Sequence, residues 1–86
     1  MPEISRFYGI VIKMYHADHP PPHLHAEYGE HRVLINLRTL GVFAGSLPPR
    51  ALALVIEWAA YHQQELLELW EQAAALQSLS RIDPLP

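Results

Sequence analysis

His23-Leu24-His25-Ala26-Glu27-Tyr28-Gly29-Glu30-His31-Arg32-Val33-Leu34-Ile35-Asn36 decides how the chain is read. Two runs alternate apolar and polar residues, as strands with one buried face do, and Gly29-Glu30 between them fits a two-residue hairpin loop. That loop pairs Tyr28 with His31, Ala26 with Val33 and Leu24 with Ile35 on an apolar face. The opposite face then pairs Glu27 with Arg32, His25 with Leu34 and His23 with Asn36. Apolar residues meet one another and opposite charges meet, so the register supports itself.

Upstream, residues 4–16 read as a strand. Phe7, Tyr8, Ile10, Val11, Ile12, Met14 and Tyr15 suit a pleated surface, and the even positions from Tyr8 to Met14 make the more apolar face. Pro20-Pro21-Pro22 interrupts regular structure, because proline supplies no backbone donor. Downstream, Arg38 to Gly41 is a turn and Val42-Phe43-Ala44-Gly45 a short fourth strand. Pro48-Pro49 suits the first turn of a helix, where their missing donors have no partner to lose. Ala51, Leu52, Val55, Trp58, Ala59, His62, Leu66, Leu69, Trp70 and Ala73 recur at helical steps. The spacing predicts one helix over about 48–76, or two with a kink near Tyr61-His62. The proline-rich residues 77–86 are expected to run as an extended tail that docks on the rest.

The expected fold is α+β, a single domain over residues 1–86. A four-stranded, mainly antiparallel sheet lies within 4–47, and the long helix packs on its apolar face. A single helix covers only one face of a sheet. Lys13, Tyr15, His23, His25, Glu27, Arg32 and Asn36 therefore fall on the face left for solvent, a ligand or another chain. With 86 residues and no cysteine, the chain has neither disulfides nor thiolate zinc ligands to stabilise it, and a partner copy could complete the core. Half the residues are hydrophobic, which excludes a disordered chain. The start, Met1-Pro2-Glu3-Ile4-Ser5, has no signal-peptide pattern, and Ile10-Val11-Ile12 is too short to cross a bilayer, so a cytoplasmic protein without membrane contact is expected.

The net charge of -3 is unevenly spread. Residues 1–50 carry five Arg/Lys against four Asp/Glu, whereas residues 51–86 set Arg81 alone against five acids. The first half could meet phosphate at short range, but the second would repel a polyanion. With no helix-turn-helix, direct DNA reading is not expected. Neither a nucleophile elbow nor a phosphate-binding glycine loop is present.

Four of six histidines lie in residues 16–25, among carboxylates. His23 and His25, two apart on a strand, point the same way and could share a divalent metal ion, with Asp18, His19 or Glu27 as a third ligand. His23, His25 and Glu30 also match a first cupin motif, but no second motif follows and the chain is too short to close that barrel. Alternatively, the two histidines could act as a metal-free acid–base pair on RNA. Arg6, Lys13 or Arg32 would then supply a cation, and Tyr15 or Tyr28 a base-stacking surface. The plainest alternative is a stiff protein-binding surface. His62, on the apolar stripe, is expected to be structural, as are Trp58 and Trp70.

Several stretches together resemble the bacterial family known as domain of unknown function 4160. They are Ile4-Ser5-Arg6-Phe7-Tyr8-Gly9-Ile10, the run Asp18 to Tyr28, Gly45-Ser46-Leu47-Pro48, Trp58, Trp70 and Ile82-Asp83-Pro84-Leu85. The resemblance spans nearly the whole chain; His16, His19 and His31 lie outside its motif. It transfers no settled activity. Members are often encoded beside a second small protein in a toxin–antitoxin-like arrangement, which implies a small protein partner. On that basis the chain is expected to be one member of such a pair, with an RNA-acting toxin role for His23, His25, Arg6 and Tyr28. A metal-binding group of His23, His25 and Asp18, or a non-catalytic protein-binding domain, is the alternative.

Overall fold

The computed structural model describes residues 3–86; Met1 and Pro2, which belong to the expected leaderless start, lie outside the described residues. Five strands form one antiparallel meander in the order β1 (Glu3–Phe7), β2 (Ile10–Lys13), β3 (His23–Tyr28), β4 (His31–Asn36) and β5 (Val42–Ser46). Helices α1 (Pro49–Tyr61) and α2 (Gln63–Ala74) follow.

The strand expected over 4–16 is in fact two, and this corrects the count from four to five. Tyr8 and Gly9 take φ of 51° and 80°, and Phe7 pairs with Ile10 across them. Positive φ at both central residues is the two-residue hairpin turn whose twist matches the strands it joins. Ile10, Ile12 and Met14 do form the buried face, while Tyr8 is left exposed at the turn. The β3–β4 register is the one expected, pair for pair from His23↔Asn36 to Tyr28↔His31. Its loop is opened by Gly29 at φ 60°.

α1 starts without a side-chain cap, on Pro48-Pro49. The helical run breaks at His62, whose φ of -113° leaves the helical range, so the kinked form of the expectation is the one found. Hydrogen bonds nevertheless run across the break, from His62 N–H to Trp58 O and from Leu66 N–H to His62 O. α2 ends two residues earlier than expected. Leu76 turns into the left-handed region at φ 60°, and the Leu76 and Gln77 N–H groups return to the carbonyls of Ala73 and Gln72. That paired closure satisfies two terminal carbonyls, a role glycine more often fills.

One cluster joins Ile10, Ile12, Leu24, Ala26, Val33 and Ile35 of the sheet to Val55, Trp58, Leu66 and Ala73 of the helices. The tail docks as an extended segment. Ile82 N–H donates to Ile4 O of edge strand β1 (2.8 Å), Trp58 Nε1–H to Asp83 O (2.8 Å) and Tyr8 O–H to Pro86 O (2.7 Å). Ile82 and Leu85 of the tail are buried. The opposite edge, β5, is exposed along its whole length. Among the described residues no helix is long and apolar enough to cross a membrane.

Candidate metal centre

The loop between β2 and β3 and the first residues of β3 build one cluster. Ala17 N–H donates to Ala73 O (3.2 Å) at the end of α2, which anchors the loop just before Asp18. The His19 backbone N–H donates to Asp18 Oδ1 (2.8 Å) and orients that carboxylate. Leu37 N–H donates to Pro22 O (2.9 Å), which fixes the proline segment at its other end. β3 then presents His23 and His25 on the face opposite Leu24 and Ala26, as strand alternation requires.

The donors converge on one point. His23 Nε2 and His25 Nε2 each lie 3.0 Å from the same oxygen, Asp18 Oδ2. All three ligand atoms fall within 4.8 Å of one another. Two donors about 2.1 Å from an ion and roughly 3.0 Å apart subtend an angle near 90° at it, within reach of ordinary coordination geometry. Asp18, His23 and His25 thus form a group that could hold a metal ion.

The second ring nitrogen of His23 sharpens this. His23 Nδ1 lies 2.7 Å from Pro21 O. A carbonyl oxygen only accepts, so Nδ1 carries the proton and a neutral His23 turns its Nε2 lone pair on the cluster. That lone pair meets the Asp18 carboxylate, so a proton or a cation must lie between the two acceptors. An imidazole that donates one N–H to a backbone carbonyl and offers its other nitrogen is the usual support for a metal-bound histidine.

Around this point the walls are aromatic. Trp70 and Phe43 lie 5.1 and 5.3 Å from His23, centroid to centroid, and Tyr15 meets His25 edge-on at 4.7 Å. His23 is buried, while Asp18 and His25 keep partial access to solvent. Burial alone would raise the Asp18 pKa, but the His25 hydrogen bond, the His19 N–H and the charges of both histidines outweigh it. The carboxyl is held below the ordinary aspartate value.

Two residues expected beside the histidines are placed elsewhere. Arg6 is bound to Glu3 (2.8 Å) on edge strand β1, and Arg81 reaches the same carboxylate (3.1 Å). The two arginines pull Glu3 down to a pKa of about 2, and Glu3 in turn raises that of Arg6. Tyr28 ends β3 on the helix-covered face, in a hollow with Tyr8, Ile10 and Pro48. The other third-ligand candidates stay out as well: Glu27 pairs with Lys13 (3.1 Å) and Arg32 (3.4 Å), and His19 is exposed. Glu30, the cupin-like match, lies exposed in the hairpin loop. Asn36, expected on the open face, is taken up by its own turn, where Oδ1 accepts the Arg38 and Thr39 N–H groups.

Sequence reasoning missed Phe43 and Trp70 as neighbours of His23. Phe43 reaches it from an irregularity in the β4–β5 register between Leu34 and Ile35, which strict alternation does not anticipate. Trp70 showed only the helical spacing of a core residue.

A family model described as Domain of unknown function (DUF4160) matches residues 9–71. No curated protein and no solved structure matches the chain. The matched span holds β2 to β5, α1, most of α2 and all three donors of the cluster. The chain therefore belongs to the DUF4160 family.

Proposed function

We propose that this chain is a metal-binding module that takes one divalent transition-metal ion on Asp18, His23 and His25. The observation that carries the reading is the shared contact: two imidazole Nε2 atoms, each 3.0 Å from one carboxylate oxygen. The Nδ1 of His23, held by a backbone carbonyl, supports it. Imidazole and carboxylate suit zinc, iron, cobalt or nickel, and three protein donors leave positions for water or another ligand. Zinc titration of untagged protein by calorimetry is the test. The wild type should bind one equivalent, and Asp18→Asn or His25→Ala should weaken binding by at least about tenfold with the fold intact by circular dichroism. Absence of binding, or equal binding by wild type and both variants, would overturn it.

A second reading is membership of a toxin–antitoxin-like pair, in which the chain binds a second small protein. Exposed β5 favours it: Val42 and Phe43 are 43% and 46% exposed on a strand that leaves one edge unpaired. Co-expression with a candidate small partner protein, followed by gel filtration, tests this, with separate elution as the negative result. The metal-free ribonuclease role uses the same two histidines. It draws less support because Arg6 is bound to Glu3 and Tyr28 faces the helices.

A further inference from the structure

Beside the metal group the open sheet face carries a hollow of about 360 Å³ lined by His25, Arg32, Leu34, Ala44 and Gly45. His25 belongs to both features: it lines the hollow, and its Nε2 meets Asp18. Next to it, His23 is closed in by Trp70 and Phe43, and Tyr15 lies edge-on against His25. An added ligand of the ion would therefore approach from the side that His25 shares with the hollow. The floor is built of small residues, and any side chain at Gly45 would collide with the Arg32 carbonyl.

The charge of this face is positive once an ion is bound. Lys13 stands across from His25 in the β2–β3 register, and Lys13 and Arg32 share the single carboxylate of Glu27. The contact between Arg32 and Glu27 runs from Nε, at 3.4 Å, and the Arg32 side chain is 69% exposed. Among the described residues its terminal nitrogens have no hydrogen-bond partner. They form a planar donor fork of the kind that matches phosphate or carboxylate oxygens.

We propose that the hollow binds a small phosphate monoester or inorganic phosphate, one oxygen completing the coordination of the ion and the others received by Arg32. This rests on the metal reading above. A small ligand is favoured over a polymer by size, since the hollow has room for about one nucleotide or less. It is favoured also by charge, because residues 51–86 would repel a polyanion.

The test uses the full chain loaded with cobalt(II), whose visible spectrum reports a change of ligand. Inorganic phosphate, a nucleoside monophosphate and a short oligoribonucleotide are titrated separately into wild type, Arg32→Ala and Arg50→Ala. Inorganic phosphate and the monophosphate should shift the wild-type spectrum. Arg32→Ala should load cobalt equally but bind phosphate about tenfold more weakly. Arg50→Ala, on the helix side, should match wild type. A cobalt-loaded wild type that ignores phosphate, or an Arg32→Ala variant that responds like wild type, would overturn the inference and leave the metal reading standing. A response to the oligoribonucleotide alone would overturn the small-ligand assignment. Failure to load cobalt would remove the metal reading and this inference together.

Discussion

Ile82→Ala should cost about 2 kcal/mol, near the low end of the range for large-to-small core changes. The value follows from the docking of the tail. Ile82 is buried at 4% exposure, and its N–H bonds Ile4 O on the edge of β1. Deletion removes most of an apolar side chain packed in the common core. The site lies on an extended segment that can settle inward, which keeps the loss below that of a fully enclosed position. A further limit is the docking free energy of the tail itself. If the variant releases the tail alone, the loss stops there while the sheet and helices persist. A domain of this size has roughly 4–13 kcal/mol in total, so the effect is a measurable share. Equilibrium urea unfolding should show a midpoint lower by about 1–2 M. A change below about 0.5 kcal/mol would mean that the tail does not pack as described, and the contacts at Trp58 and Tyr8 would fall with it.

Ser5→Ala should stabilise the chain, by about 1 kcal/mol in thermal or urea unfolding, because the Ser5 hydroxyl is buried with no hydrogen-bond partner among the described residues; a destabilised variant would imply a partner for it. Glu3→Gln should reduce sensitivity to acid. The folded pKa of Glu3 is about 2 against an ordinary 4.5, so its contribution is present above pH 4.5 and lost as the pH falls towards 2. Wild type and variant should thus converge over that window, and a constant difference in stability across it would be evidence against the Arg6 and Arg81 contacts. Copper(II) or nickel(II) bound at His23 should quench Trp70, whose ring lies 5.1 Å away. Fluorescence of the Trp58→Phe variant isolates the Trp70 signal, and full emission at saturating metal would contradict the placement of the ion.

Sequence carried some of this architecture plainly and some not at all. The β3–β4 hairpin was legible because its two strands alternate in phase across Gly29. A one-residue slip would have put His25 and Glu27 in the core. The β1–β2 hairpin was hidden: apolar residues resume at once on either side of Gly9, in Phe7-Tyr8 and Ile10-Val11, and an aromatic residue seldom takes the φ that Tyr8 adopts. Gly9 was the one local signal. At the site, the i, i+2 spacing made His23 and His25 readable as a pair. Asp18 was one of several third-ligand candidates, because the path of a proline loop back to its strand depends on tertiary bonds such as Ala17 to Ala73. Alternation puts Tyr28 beside Leu24 and Ala26 on the covered face, away from the histidines. Arg6 carries a charge suited to phosphate, but its pairing with Glu3 is a contact that composition does not reveal.

The central claim is that two imidazoles and one carboxylate take a single ion, and X-ray absorption of zinc-loaded protein tests it most directly. The account predicts one retained zinc per chain, with a shell of nitrogen and oxygen donors at about 2.0–2.1 Å that includes two imidazoles, reduced to one in His25→Ala. Zinc that dialyses away, or a retained ion whose shell contains no imidazole, would contradict it.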